Sequence, residues 1–349
     1  MRIGGNGGCS RRTPPMPAAA EMPWLSVLVP VYGVERYLEA CVASVLAQGV
    51  DGIEVVLLDD ASPDRSGQIA AQLQVRHPGV VRALAHERNR GLSAARNSLL
   101  AAARGRYVWF LDSDDELLPG AIAGLRAVVE SDAPDLVLCD FRVLHERRGW
   151  RHRLLGEPRR RSHPGGIARP SVDRDALVRG LLQSRQLHAW SKIATRGAWQ
   201  RAPFPEGRYF EDMAVIPRLV AASATWRHVP RPWVGYRQRG DSILANMTPR
   251  KARDQLASLR DLHDGLVALA GGLGVQARAA LDYFCLRTFA SLARSLPHDD
   301  AALDGECRAA LAALFPEGVT RALEDCRRHG WWLRSRRMRR SLARRGWLQ

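Results

Sequence analysis

Asp112-Ser113-Asp114-Asp115 directly follows the apolar run 107–111. On an extended segment, side chains at i and i+2 point the same way, so Asp112 and Asp114 could share a hard divalent cation with phosphate oxygens. A second acidic pair, Asp59-Asp60, closes the apolar run 53–58, and Pro30-Val31-Tyr32 closes the run that starts at Leu25. Five carboxylates gathered on one edge repel one another unless a cation or hydrogen-bond donors compensate them, so the arrangement asks for a metal. A lone Asp-x-Asp is more often an acidic cap, here for a helix starting near Pro119. The equivalent acidic end at Asp59-Asp60 turns the balance toward an edge that holds a metal and a nucleoside diphosphate. Glu211-Asp212 precedes the apolar stretch 213–220 and is either a general base or an ordinary acidic helix start.

These residues need a scaffold that brings strand ends together. From Trp24 onward, short apolar runs alternate with helical stretches, as parallel βαβ units require. The spacing predicts strands at 25–30, 53–60, 80–86, 106–112 and 135–141. Leu38, Cys41, Val42, Val45 and Leu46 mark one face of a helix ending near Gly49. Ser62-Pro63 reads as N-cap and first position of a helix to about His77, and further helices are predicted over 92–104 and 119–131. Residues 142–175 are polar, Arg-rich and unpatterned, the mark of a long loop, and 176–245 is mixed. Leu281, Phe284, Cys285, Thr288, Phe289 and Leu292 return to helical spacing, and 250–330 carries little strand signal. The fold class is therefore α/β, a doubly wound sheet followed by a mainly helical C-terminal region. In open sheets of this kind, ligands bind beyond the carboxyl ends of the strands. The turn after the first strand, PVYGVERY, has one glycine, which argues against a dinucleotide fingerprint, and no GxxxxGK[ST] loop occurs.

The chain has 349 residues, 46% hydrophobic and 25% charged, enough for one large domain or two unequal ones and far from a disordered composition. Residues 1–23, rich in Gly, Pro and Ala, read as a disordered lead. No stretch has the ~20 apolar residues of a membrane span, and no signal peptide is apparent. The six cysteines are scattered without zinc spacing, as for reduced core thiols. The net charge of +16 comes from 52 basic residues, of which Lys192 and Lys251 are the two lysines. Nine Arg and no acid lie between Arg327 and Gln349. A nucleic-acid binder would explain that charge but not the strand-end carboxylates, which repel phosphate without a metal. In the tail, Trp331, Met338 and Leu342 can share one helical face, which predicts a basic amphipathic helix resting on an anionic membrane.

Taken in order, PVYGVERYLEACVASVLAQ (30–48), EVVLLDDASPD (54–64), NRGLSAARN (89–97) and FLDSDD (110–115) resemble the family-2 glycosyltransferases of the GT-A fold. WSK (190–192), YFEDMAVIPRL (209–219) and YRQRGDSI (236–243) extend the resemblance across residues 24–245, ahead of the helical region 246–349. The resemblance implies a Rossmann-like nucleotide-binding half and an acceptor half. It further implies inverting, metal-dependent transfer from a nucleotide-diphosphate sugar, a UDP-sugar first, to a hydroxyl of a cell-surface glycan or lipid-linked acceptor at the cytoplasmic face of the membrane. On that pattern Pro30 and Tyr32 contact the nucleobase with Asp59 nearby, Asp60 meets the uracil ring, and Asn89 and Arg96 line the nucleotide pocket. Asp112 lies by the ribose and Asp114 binds Mn²⁺ or Mg²⁺, with Asp112 as its neighbour in the motif. Arg237 and Ser242 close over the phosphates, Trp190 and Lys192 stand on the acceptor side, and Asp212, beside Glu211, is the base. Gly33 replaces the family's usual Asn, and Ala61 its usual Gly. Rival readings are a fold of this kind without turnover that binds membranes, and a sugar nucleotidyltransferase, which would carry a Gly-rich loop after the first strand.

Overall fold

Strand β1 (Leu25–Val31) is apolar throughout because both of its faces are covered. Leu25, Val27, Val29 and Val31 enter one core layer and Leu28 the other. β1 pairs in parallel with β2 (Ile53–Asp59) and β4 (Tyr107–Phe110), and β2 pairs with β3 (Val81–Ala85). Helices α1 (Leu38–Leu46), α2 (Ser66–Arg76) and α4 (Ala121–Asp132) pack on one face, and α3 (Leu92–Ala102) on the other.

The computed structural model describes residues 22–145, 158–166, 169–238, 247–296 and 300–348. The remaining described strands are β5 (Glu116–Leu117), β6 (Leu136–His145), β7 (Arg159–Arg160), β8 (Lys192–Thr195) and β9 (Trp226–Gln238). They complete a mixed sheet of order β3-β2-β1-β4-β8-β6-β9-β5, with β7 on β6. β8 is antiparallel to both β4 and β6, and β9 is parallel to β6. The strands β1 to β4, β6 and β9 therefore present their carboxyl ends to one edge.

Helices α5 (Arg174–Ser184), α6 (Arg196–Gln200) and α7 (Glu211–Ala221) lie on the α3 side. They are joined there by α8 (Pro249–Val267), α9 (Val275–Ser295), α10 (Ala301–Leu314), α11 (Val319–Arg328) and α12 (Trp332–Arg344). One apolar cluster runs from Leu28 and Phe110 through Ile216 and Leu281 to Trp347, across the expected boundary at residues 245 and 246.

Four expectations change. The helix after β2 starts at Ser66 instead of Ser62-Pro63: Asp64 accepts the Ser66 N–H, while Ser62 Oγ accepts the Gly33 N–H. The expected loop 142–175 contains the end of β6, the strand β7 and the start of α5; its residues 146–157, 167 and 168 lie outside the described set. The backbone turns at Asp112, where the Asp115 N–H reaches the Asp112 carbonyl at 3.0 Å, so these carboxylates do not sit on an extended segment. Finally, the tail face expected to meet a membrane is packed inward. Met338 and Leu342 are buried, as is Trp347, and Trp331 stacks on Tyr283 of α9 at 4.2 Å between centroids. Helical periodicity defines an apolar face without saying what covers it. The exposed side keeps Arg334, Arg336, Arg337, Arg339, Arg340 and Arg344, with Trp332 and Leu333, while Arg345 pairs with Asp304.

Among the described residues, no helix is long and apolar enough to cross a membrane. The described cysteines, Cys41, Cys139, Cys285, Cys307 and Cys326, are free and buried.

Candidate active site

Arg96 organises the site. It projects from α3, is 1% exposed, and holds three carboxylates: Asp112 Oδ1 at 3.0 Å, Glu211 Oε1 at 2.8 Å and Asp212 Oδ1 at 3.0 Å. Its guanidinium also lies 5.2 Å from the Phe204 ring centroid. Burial disfavours the cation, but Asp212, Asp112 and Glu211 outweigh it and raise the guanidinium pKa further. An arginine expected to line a nucleotide pocket thus ties the turn after β4 to the start of α7.

Glu211 and Asp212 occupy the first turn of α7, where the helix dipole favours negative charge. Phe210 before them is in the left-handed region, φ 62°, a conformation that side chains other than glycine's adopt at a cost. Burial and the adjacent Asp212 push the Glu211 carboxyl up to about 7, with Arg96 opposing them. Glu211 is therefore partly protonated near neutrality. Asp212 also faces His188, whose Nδ1 lies 3.9 Å from Asp212 Oδ2.

Across Arg96 lies the acidic turn. Asp115 is fully buried; its Oδ1 accepts the Arg237 N–H at 2.7 Å, and its Oδ2 has no hydrogen-bond partner among the described residues. Burial, Asp112 and Asp114 raise the Asp115 pKa well above the carboxylate range. Arg237 Nε reaches the Asp114 carbonyl at 2.9 Å, and its guanidinium pairs with Glu116. It braces the turn, and Ser242, its expected companion over the phosphates, lies outside the described residues.

No cluster of three or more metal-ligating His, Cys, Asp or Glu is present among the described residues. Asp112 and Asp114 fit a hard cation that takes one or two protein carboxylates and completes its shell with phosphate oxygens and water. The charges of Asp112 and Asp114 help burial to raise the Asp115 pKa, a crowding that such a cation would relieve.

At the neighbouring strand ends, Asp60 Oδ1 accepts the Arg90 N–H at 2.9 Å and lies 2.6 Å from His86 Nδ1, while Oδ2 accepts the Gly91 N–H at 2.7 Å. Asp60 thereby anchors the loop that carries the exposed Asn89. Asp59 Oδ1 accepts the Ser62 N–H at 3.1 Å. Pro30 is buried in β1, and Tyr32 beyond it is 51% exposed. Gly33 and Ala61 both take positive φ, 65° and 58°, the second a strained position for alanine.

The expected acceptor-side pair is not on the surface. Trp190 is 1% exposed, and its carbonyl accepts the Trp109 indole N–H at 2.9 Å. Lys192 is equally buried; its Nζ donates to the Gln186 and His188 carbonyls at 2.9 and 2.8 Å. Burial lowers the Lys192 pKa to about 7 against the pull of Asp212. Both residues fasten the loop that presents His188. His188 and Tyr236, given no role from the sequence, are half-buried there; Tyr236 opens the string 236–243 and His188 lies two residues before Trp190, the signals that could have found them.

The buried Arg96 thus joins an acidic strand edge to an acidic helix start within a mixed α/β sheet of the GT-A type. Residues 26–178 match the family model for glycosyl transferase family 2, and the chain carries a domain of that family. It is 36% identical to the putative glycosyltransferase EpsH of Bacillus subtilis (strain 168) over 64% of this chain and 63% of EpsH, so the match spans less than two thirds of that relative. S. aureus TarS 1–349 in complex with UDP superposes with a TM-score of 0.65 at 18% identity, covering 86% of this chain and 82% of that one. The mannosyltransferase PcManGT of Pyrobaculum calidifontis, solved with GDP-Man and Mn²⁺, gives 0.50 at 18% identity over 94% and 88%. At these identities the two structures speak for the fold.

Proposed function

We propose that this protein is an inverting, metal-dependent glycosyltransferase. Its donor is a nucleotide-diphosphate sugar, UDP-linked by preference, and its acceptor is a hydroxyl of a cell-surface glycan or lipid-linked glycan. The observation that carries this reading is the Arg96 bridge, which sets the Glu211-Asp212 start of α7 opposite the Asp112–Asp115 turn. Asp212 takes the proton of the acceptor hydroxyl. The hydroxyl oxygen attacks the anomeric carbon from the face opposite the diphosphate, and the bond to the diphosphate breaks with its electron pair leaving on the nucleotide. Arg96 holds Asp212 in position, and Pro30 and Tyr32 border the nucleobase. A Mn²⁺ or Mg²⁺ held by Asp112 and Asp114 would supply charge neutralisation for the leaving diphosphate.

The test is hydrolysis and transfer with a panel of nucleotide sugars, with and without Mn²⁺. Asp114→Ala abolishes metal-dependent donor binding while circular dichroism and melting stay unchanged; retained metal-dependent activity would sink the assignment. Asp212→Asn keeps donor affinity and loses roughly 10² to 10⁴ in turnover, the range of general-base catalysis. Equal loss of donor binding would make Asp212 structural.

The exposed Arg336, Arg337, Arg339, Arg340 and Arg344, with Trp332 58% and Leu333 52% exposed, favour a peripheral position on an anionic membrane surface. On this reading the enzyme works at the inner face of the plasma membrane, beside a lipid-linked acceptor. Contact runs through the cationic face and these two side chains, since the Met338 face is occupied by the protein's own core.

A further inference from the structure

Beside Asp212, the carboxyl ends of β6 and β9 open into a cleft of about 290 Å³, lined by His145, Arg160, Gln186, His188, Tyr236 and Gln238 among others. Three rings at its base are nearly parallel. His188 lies 4.8 Å from Trp190 at 6°, Tyr236 lies 5.5 Å from Trp190 at 15°, and His188 and Tyr236 are 6.3 Å apart at 19°. Two rings on opposite faces of one indole would stand at least ~7 Å apart, twice the contact distance of carbon atoms. The imidazole and the phenol therefore lie side by side on the same face of Trp190. Phe141 meets all three rings edge-on, at 86° to 87°, and fixes them. Trp190 is covered, while the His188 side chain remains 41% exposed, so the outer surface is a flat two-ring tile on a rigid backing.

We propose that this tile seats a sugar ring of the acceptor, its C–H face stacked on His188 and Tyr236 and its hydroxyls within reach of the Gln186 and Gln238 amides. The inference rests on the glycosyl-transfer reading and names the substrate class of that site. The C–H groups of a pyranose carry partial positive charge and match the negative faces of aromatic rings. Convergent amides around an apolar floor then set orientation. Because His188 Nδ1 is 3.9 Å from Asp212 Oδ2, a ring on the tile brings a hydroxyl to the base.

The experiment is saturation-transfer NMR on the full chain with methyl α- and β-glycosides of glucose, galactose and N-acetylglucosamine, alongside calorimetric binding of UDP with Mn²⁺. In the wild type, ring C–H protons of at least one glycoside receive saturation. His188→Ala and Tyr236→Ala weaken that binding about three- to tenfold, the scale of one stacked ring. His188→Phe and Tyr236→Phe restore it, and UDP binding stays unchanged in all four. Absence of saturation across the panel, or equal saturation in the wild type and the alanine variants, overturns the inference. Loss of UDP binding in the wild type overturns the glycosyl-transfer reading instead, so the two failures are distinguishable.

Discussion

Glu211→Gln is expected to stabilise the protein at pH 8 and leave it unchanged at pH 4.5. The Glu211 carboxyl is pushed from 4.5 up to about 7 by burial and by Asp212. A rise of about 2.5 units at 1.36 kcal/mol each is about 3 kcal/mol. The sign follows from proton counting. Between pH 4.5 and about 7 the folded chain holds a proton that the unfolded chain releases, so stability falls as pH rises through that window and levels off above it. Glutamine keeps an oxygen for Arg96 Nη1, now 2.8 Å from Glu211 Oε1, and carries no charge at any pH. With an unfolding entropy of about 2.1 cal/mol/K per residue, 349 residues convert 3 kcal/mol to roughly 4 °C of melting temperature. The assay is thermal unfolding of both proteins at half-unit steps from pH 4.5 to 8. The curves should coincide at the acid end and separate in favour of the variant toward pH 8. Asp212→Asn removes the charge that helps raise Glu211, so its window moves to lower pH and the separation shrinks. Parallel wild-type and Glu211→Gln curves across the range would refute the reasoning.

Ala61 sits at φ 58°, where an L side chain costs about 1 to 2 kcal/mol, and glycine returns part of that gain through its unfolded-state entropy. Ala61→Gly should raise stability by about 0.5 to 1 kcal/mol, read from urea midpoints; a lowered midpoint counts against strain. Replacing Arg336, Arg337, Arg339 and Arg340 by Gln should abolish salt-sensitive flotation with anionic liposomes, at about 1 kcal/mol per Arg, without altering the melt. Undiminished flotation, or equal binding to neutral vesicles, removes the membrane reading. Truncation after Asp325 is a poorer test because it also removes Met338, Leu342 and Trp347 from the core.

The strand edge was legible because parallel βαβ units expose their chemistry locally: an apolar run ends and acids follow, as at Asp59-Asp60 and Asp112. What joins the edge to α7 was not legible. Arg96 lies 115 and 116 positions from its partners Glu211 and Asp212, and no periodicity reports a pairing over that span. Trp190 and Lys192 stand in a recognisable string, but a string says nothing of depth, and both support the residue that is exposed. What covers the tail's apolar face was illegible for a similar reason. Trp331, Met338 and Leu342 form an apolar face, and a protein core and a lipid interface select the same spacing.

The apolar cluster that crosses residues 245 and 246 bears on how such enzymes diversify. Leu259, Leu262 and Leu281 of the C-terminal helices share one interior with Leu181, Ile216 and Phe110 of the sheet-bearing half. A C-terminal segment borrowed from a relative would bring half of an interlocking surface and leave its counterpart behind, opening voids and clashes of the kind that cost about 1 to 3 kcal/mol per mismatched side chain. Shuffling whole segments is therefore a poor route to new acceptors here. Point changes on the loops at the carboxyl edge, which the shared interior does not constrain, are the open one.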